Sequence, residues 1–175
     1  MNRTIDGSVD ERAESERQRV DRDDAAPAIQ TTRLCERLLL PLAGESDAER
    51  TCRALQPHIE ERDSRLFAVH VIEQTEGYPD KAPYDIRREQ ADATFGIVHE
   101  YFAGTTHRVS TEVRYGSSIV DEILAAADAV DATAIGFTPR PGRRWMRLLA
   151  GDLTHKLVTT SRRPVITFPP PNNRT

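Results

Sequence analysis

The sequence contains only two cysteines, Cys35 and Cys52, among its 175 residues. Two thiols cannot build a disulfide framework or a cysteine-rich metal cluster, and free thiols suit a reducing compartment. The first residues also lack the apolar segment and the small-residue cleavage site of a secretory signal peptide. We therefore expect a cytoplasmic protein whose two thiols are inert.

Long apolar runs are absent as well, because every run falls far short of the ~20 apolar residues that a membrane-spanning helix needs. Neither sign of charge dominates, since 24 Lys and Arg residues stand against 28 Asp and Glu residues, for a net charge of -4. Proteins that bind nucleic acid non-specifically usually carry a clustered excess of positive charge. The composition therefore argues against membranes and nucleic acids as partners.

Motifs of catalysis and metal binding are also lacking. The sequence has no Walker loop, no GxSxG nucleophile elbow and no GxGxxG fingerprint. Its five histidines show no metal-ligand spacing, and none forms a local motif with a candidate nucleophile. We predict that the protein is not an enzyme and has no metal site.

The first 30 residues are rich in Arg, Asp and Glu and contain few large apolar side chains. Such a segment cannot bury enough apolar surface to offset the entropy lost on ordering it. We predict a disordered or partly helical arm over residues 1–30, a folded domain over 35–169 and a flexible tail over 170–175. The arm is interpreted either as a solvated tail or as a contact segment for a protein partner.

From residue 36 onward, apolar runs typical of strands buried on both faces alternate with amphipathic segments. In the amphipathic segments, apolar residues recur at i, i+4, i+7 and i+11, which is the stripe of a helix that packs one face on a core. Ser46 and Glu49 are predicted to form a capping box at the start of the first helix. The predicted order is βαβαβαβαβ, with strands at 36–42, 66–72, 108–115, 132–137 and 164–168.

Strands that alternate with amphipathic helices predict an α/β fold, a single domain in which helices cover both faces of a parallel sheet. In the strand at 108–115, apolar residues alternate with polar ones, which indicates one wet face and a position at or near an edge. Pro164 and the prolines from Pro169 onward confine the last strand to a short terminal strand. An apolar edge favours pairing with another chain. We predict a homodimer whose interface is formed by Val165, Ile166, Thr167 and Phe168.

The stretch 132–157 gives the strongest indication of a ligand site. It is predicted to form a strand, a loop with glycines and arginines, and the N-terminus of a helix. Backbone N–H groups and the helix dipole converge on anions in this arrangement. Ligands of parallel sheets bind beyond the carboxyl ends of the strands, where the strand order reverses. The loop after the fourth strand is expected at such a point.

From about residue 35 to residue 168, the chain resembles the universal stress protein family. The resemblance is carried by LLLPLAGESDAER, AVHV, RYGSSIVDEIL, ATAIGFT, GDLTHKLV and RRPVITF, in this order and spacing. It implies a Rossmann-like, five-stranded parallel sheet of order 3-2-1-4-5 with four helices. It also implies dimers made through the fifth strands and a role in the stress response.

The resemblance divides family members into those that bind ATP and those that do not. The former share a signature of Gly, two residues, Gly, nine residues, and then Gly with Ser or Thr. Gly136 matches the first glycine and Gly151 matches the last. Pro139 stands at the second glycine, and Asp152 stands where Ser or Thr is expected. Eleven residues separate Pro139 from Gly151 instead of nine.

These departures weaken the predicted contacts with phosphate. Pro139 and Pro141 remove two N–H donors from the loop. Asp152 introduces a carboxylate, and at about 4 Å from a phosphate charge the repulsion is roughly 4 kcal/mol at an effective dielectric constant of about 20. Ala43 stands where, by the resemblance, an Asp holds the nucleotide. The backbone contact to adenine that the resemblance implies near Val71 needs no particular side chain.

Two functions therefore remain open. We favour a homodimeric regulatory module that does not bind ATP and acts through protein contacts, because several nucleotide contacts are lost together. The alternative is a sensor that binds ATP or AMP, with Mg²⁺, in a modified glycine loop. The candidate nucleotide site consists of Ala43, Val71, Gly136, Thr138, Arg140, Gly142, Gly151, Asp152 and Thr154.

Two features of this loop allow more than one interpretation. The arginines of residues 140–147 form either a solvated basic loop or a surface for a phosphate or an acidic protein partner. Asp152 is also explained as the N-cap of the last helix. The arginines in question are Arg140, Arg143, Arg144 and Arg147.

Overall fold

The computed structural model describes residues 34–59, 63–74, 84–139 and 153–169. The predicted arm over 1–30 and the predicted tail over 170–175 lie outside these residues. The described elements are β1 (Arg37–Pro41), α1 (Glu45–Ile59), β2 (Arg65–Glu73), α2 (Tyr84–Tyr101), β3 (Arg108–Gly116), α3 (Ile119–Ala129), β4 (Ala134–Phe137), α4 (Leu153–Thr160) and β5 (Val165–Thr167).

The strands form one parallel sheet in the order β3-β2-β1-β4-β5. This confirms the predicted α/β fold, the order of its elements, and the edge positions of the third and fifth strands. The strand order reverses at β1, because the chain first builds outward through β2 and β3 and then crosses to β4 on the other side. None of the helices in the described ranges is long and apolar enough to cross a membrane.

The three leucines of β1 join the two apolar layers of the fold. Leu38 and Leu40 pack with α1 and α2 on one face of the sheet, and Leu39 packs with α3 and α4 on the other. Each of these side chains is at most 1% exposed. Burial of a leucine contributes about 1.5–3 kcal/mol, so this short strand stabilises both helical layers at once.

Both cysteines are buried. Burial raises the pKa of the Cys52 thiol to about 12. The reactive thiolate of Cys52 is therefore strongly disfavoured near neutral pH.

The start of the first helix differs from the prediction. The helix α1 begins at Glu45, one residue before Ser46. The hydroxyl of Ser46 accepts a hydrogen bond from Nη1 of Arg50 at 2.7 Å, so the predicted capping box is wrong. In α3, by contrast, Ser118 is the N-cap, and its hydroxyl accepts from the N–H of Asp121 at 3.4 Å.

The amino ends of the strands are tied together around Asp131. This residue has a φ of 47°, in the left-handed region that non-glycine residues seldom adopt. Nε of Arg37 donates to its carbonyl at 2.7 Å, and Nη2 of Arg37 donates to its carboxylate at 2.8 Å. Arg163 lies 3.4 Å from the other carboxylate oxygen. These contacts connect β1, β4 and β5 at the end of the sheet opposite to the carboxyl ends of the strands.

The absence of a side chain at Gly136 is explained by packing. A Cβ atom at this position in β4 would lie 2.8 Å from Cε2 of Phe168 and 3.5 Å from Cδ2 of Leu40. Phe168 is 3% exposed and its ring also lies against that of His58, with the ring centroids 5.6 Å apart. The ring of Phe168 therefore fills the space over Gly136.

We expect the substitution Gly136→Ala to lower the free energy of unfolding by about 1–3 kcal/mol, because it overpacks a buried site. The matched control is Gly96→Ala in α2, where a Cβ atom would have no described atom within 4 Å. This control should raise the free energy of unfolding by about 0.4–1 kcal/mol. Urea denaturation measures both values, and a stabilising effect of Gly136→Ala would contradict the packing explanation.

Candidate functional site

A cavity of about 220 Å³ lies beyond the carboxyl ends of β1, β2 and β4, with further walls from α3 and α4. This is the point at which the strand order reverses, and parallel sheets commonly bind ligands there. Most of the lining is apolar, which suits the faces of a flat ring better than a bare anion. The apolar walls include Leu42, Val69, Val71, Ile119, Ile123 and Leu157.

Four of the nine predicted site residues line this cavity. They are Ala43, Val71, Thr138 and Thr154. Gly136 lies in β4 nearby, where the ring of Phe168 accounts for its missing side chain. The other four predicted residues lie outside the described residues: Arg140, Gly142, Gly151 and Asp152.

Val71 presents backbone groups to the cavity. The C=O of Val69 accepts from the N–H of Leu42 at 2.9 Å, and residues two apart in a strand direct their backbone groups to the same side. The N–H and C=O of Val71 thus point toward the side of β1, but β1 ends at Pro41, opposite Val69. Within the described ranges, no backbone hydrogen bond from β1 or the turn after it reaches Val71. A donor and an acceptor therefore lie side by side at the cavity wall.

Asp47 also lines the cavity, and the sequence analysis missed it. Its Oδ2 accepts from the N–H of Ala43 at 3.1 Å, and its Oδ1 accepts from Nη2 of Arg50 at 2.6 Å. The side chain is 15% exposed. The first turn of α1 therefore places the carboxylate of Asp47 against the backbone N–H of Ala43, four residues earlier in the chain. An acidic residue in a first helical turn is common, so the sequence signal was not distinctive.

Thr138 follows β4 and lines the cavity. The residue is 3% exposed, and its Oγ1 is buried without a hydrogen-bond partner among the described residues. Buried hydroxyls are usually paired, and an unpaired one lowers stability by about 1–3 kcal/mol. A ligand that bonds to this hydroxyl would remove that loss.

His70 fixes the turn that forms one side of the cavity. Its Nδ1 lies 2.9 Å from the carbonyl oxygen of Leu42. Since a carbonyl only accepts, the proton is on Nδ1 and the ring donates. Burial lowers the pKa of His70, and the hydrogen bond to Leu42 partly opposes this change. The ring is therefore neutral at neutral pH and holds the end of β1 in place.

The described part of the chain contains no group of three or more His, Cys, Asp or Glu side chains placed to hold a metal ion. Asp47 and Arg50 form an ion pair beside the cavity, so a carboxylate and a guanidinium both lie near the ligand space.

The sequence profile of the universal stress protein family matches residues 35–169. The chain belongs to this family. The match covers the whole of the sheet and all the helices that the structure describes. No curated protein sequence matches the chain significantly.

Solved structures of low sequence identity share the fold of this family member. The hypothetical protein MJ0577 has a TM-score of 0.64 at 16% identity, over 80% of this chain and 99% of that chain. A universal stress protein family member from Burkholderia pseudomallei has a TM-score of 0.60 at 18% identity, over 78% and 97% of the two chains. The universal stress protein from Archaeoglobus fulgidus in complex with dAMP has a TM-score of 0.54 at 19% identity, over 77% and 98%.

The substitution Thr138→Val tests whether the buried hydroxyl is unpaired. We expect the free energy of unfolding to stay equal or to rise by up to about 1 kcal/mol, because an unsatisfied polar group is removed. The control is Thr94→Val, since Thr94 is fully buried and its hydroxyl donates to the carbonyl of Gln90 at 2.7 Å. Thr94→Val should be less stable than Thr138→Val by about 0.5–1.5 kcal/mol. Chemical denaturation of both variants measures these changes. A clear loss of stability in Thr138→Val would contradict the assignment of an unpaired hydroxyl.

Proposed function

We propose that this protein is a homodimeric, cytosolic regulatory module that holds the adenosine part of a nucleotide and acts through protein contacts. The observation that carries the proposal is the open cavity at the reversal of strand order, with the backbone of Val71 available at its wall. Of the two functions that the sequence left open, the cavity favours nucleotide binding. The altered loop favours a ligand with few phosphate groups.

The groups around Val71 support an adenine ring as the ligand. Adenine carries an amino donor next to ring-nitrogen acceptors, and Val71 offers one acceptor and one donor from adjacent backbone atoms. The apolar side chains around them can cover both faces of the ring, as in most small-molecule sites. The complex of the Archaeoglobus fulgidus protein with dAMP, a nucleotide of adenine, supports this choice.

The volume of the cavity and the loss of backbone donors both oppose ATP. Sites for drug-sized ligands have volumes of about 300–1,000 Å³, whereas this cavity has about 220 Å³. It suits a nucleoside better than a complete triphosphate. The phosphates would have to meet the sequence after Thr138, where Pro139 and Pro141 lack N–H donors and Asp152 adds a negative charge.

Isothermal titration calorimetry with adenosine, AMP and ATP, each with and without Mg²⁺, tests this proposal. We expect adenosine and AMP to bind at least as tightly as ATP, because the additional phosphates gain few donors. Asp152→Ser should raise the affinity for ATP by about tenfold, equivalent to about 1.4 kcal/mol, and should change that for adenosine little. The control is Glu49→Ser, which removes an exposed carboxylate of α1. An affinity for ATP well above that for AMP in the unaltered protein would contradict the proposal.

The homodimer is proposed through the free edge of β5. The C=O of Pro164 accepts from the N–H of Ile135 at 3.0 Å, and the N–H of Phe168 donates to Phe137 at 2.9 Å. Because backbone groups alternate along a strand, those of Val165 and Thr167 point away from β4, to the side where a partner strand would pair. Phe168 is different from the other predicted interface residues. It is buried in the core of its own chain and offers little surface for contact.

The substitution Thr167→Pro removes an outward N–H and leaves the hydrogen bonds to β4 in place, as prolines on strand edges do. In sedimentation equilibrium at micromolar concentration, we expect a dimer mass for the unaltered protein and a monomer mass for Thr167→Pro. Thr167→Val is the matched control and should remain dimeric. Circular dichroism checks that the fold is retained. A monomer mass for the unaltered protein would refute the dimer.

The contacts with other proteins are proposed at two segments of unusual charge. The arginine-rich segment over 140–147 suits an acidic protein surface, because arginine pairs well with carboxylates. The charged arm over 1–30 is the second candidate segment. The proposed role is regulatory rather than enzymatic, since the sequence contains no motif that pairs a nucleophile with a base.

A further inference from the structure

We propose that the outer edge of β3 pairs with the β3 strand of a second copy of this chain, antiparallel and with Val113 on the two-fold axis. This contact is separate from the dimer proposed through β5, because β3 and β5 are opposite edges of the sheet. It is also independent of the nucleotide cavity. Three observations carry it: the length of the edge, the direction of its backbone groups and the signs of its charges.

The first observation is that β3 is a long and open edge strand. It has nine residues and pairs with β2 along all of them in unbroken register. None of the nine is buried, and within the described ranges no strand pairs with its outer side. Proteins usually protect an edge with short strands, bulges or prolines, as in β5, which has three residues and follows Pro164. β3 has none of these devices.

The second observation is the direction of the backbone groups of β3. The N–H of Arg108 donates to the C=O of Ser64 at 3.1 Å, and the C=O of Gly116 accepts from the N–H of Gln74 at 2.9 Å. Even-numbered residues therefore bond to β2, and because backbone groups alternate along a strand, odd-numbered residues direct theirs outward. An antiparallel partner must place its own odd-numbered residues opposite these. The outward residues are Val109, Thr111, Val113 and Tyr115.

The third observation is that the charges of β3 favour one register. Glu112 and Arg114 lie on the face that carries α3, since Arg114 is 3.1 Å from Glu112 and 3.3 Å from Glu122 of α3. An axis through Val113 places Glu112 opposite Arg114 of the second copy, and Arg114 opposite its Glu112. An axis one residue away, at Glu112 or Arg114, places two like charges opposite each other, which is destabilising.

The same register gives close contacts on both faces of the sheet. The two charged pairs are of the non-hydrogen-bonded kind, in which the Cα atoms are about 4.5 Å apart and the side chains are closest. On the other face, Val113 meets its own copy and Thr111 meets Tyr115. The ring of Tyr115 stacks on that of Tyr84 in α2, with the centroids 5.5 Å apart. Aromatic and β-branched residues pair favourably across strands, so both faces suit a second copy.

The contact should be weaker than an ordinary stable dimer, because it involves one strand and ion pairs that remain near solvent. Thr167→Pro isolates it by removing the contact through β5. In sedimentation equilibrium, we expect this variant to change from a monomer mass at about 5 µM to a mostly dimeric mass at about 500 µM. The unaltered protein should associate beyond the dimer over the same range.

Charge reversal in the Thr167→Pro background tests the paired charges. Glu112→Arg places arginines opposite each other twice and should weaken self-association by about tenfold or more. The second variant is Arg114→Glu with Glu122→Gln, which keeps two carboxylates from meeting. It should also fail to self-associate, but an equal mixture of the two variants should form heterodimers. Glu49→Arg, the same reversal at an exposed position of α1, is the control and should leave the association unchanged.

Cysteine cross-linking in the otherwise unaltered chain measures the register. Val113→Cys brings two thiols to the axis, where the Cα atoms of a hydrogen-bonded pair are about 5.5 Å apart, a distance that a disulfide spans. Thr111→Cys is the matched control, because its two copies lie four residues apart along the strands, roughly 13 Å. Both native cysteines are buried. Under mild oxidation at high concentration, we expect a disulfide-linked dimer from Val113→Cys only.

A monomer mass for Thr167→Pro at about 500 µM, with the fold retained by circular dichroism, would overturn the proposal. Self-association that survives Glu112→Arg, or a disulfide at position 111 instead of 113, would overturn it as well. If Thr167→Pro does not fold, the cross-linking experiment decides. None of these results bears on the nucleotide site or on the dimer through β5, which calorimetry and the mass of the unaltered protein at micromolar concentration test separately.

Discussion

The central constraint on this structure is the difference in length between β1 and its neighbour β2. β1 has five residues and β2 has nine, and their pairing stops at Pro41 opposite Val69. The leucines of β1 are buried on both faces of the sheet, so this short strand lies at the centre of the core. Because β1 ends early, the sheet is recessed at its carboxyl end. The cavity occupies this recess.

The recess leaves one side of β2 without its partner strand. The other side stays satisfied, since β2 and β3 pair along their whole length from Arg65 to Glu73. No described backbone group of β1 or of the turn after it bonds to the donor and acceptor of Val71 on this side. After β1, the chain turns at Gly44 into α1, and this turn carries Asp47 back to the same recess. Val71 and Asp47 therefore line the same small cavity.

The polar groups of the cavity show that its structure is not optimised for stability alone. Thr138 has a buried hydroxyl without a partner in the described part of the chain. Local departures from the rules of polar burial are concentrated at functional sites. At the opposite end of the sheet, Arg37 and Arg163 pair with the carboxylate of Asp131.

Sequence by itself determined the type and order of the elements, the parallel sheet and its two edge strands. Apolar periodicity indicates which face of a helix or strand is buried, and prolines indicate where a strand ends. Both signals come from residues that are close together in the sequence. The family resemblance also pointed to Ala43, Val71, Thr138 and Thr154, which the cavity contains. Only the tertiary structure decided that Asp47 joins them, that Gly136 serves packing, and that Phe168 lies in its own core. Such contacts depend on how turns and distant strands meet in space, and no local pattern of residues encodes that.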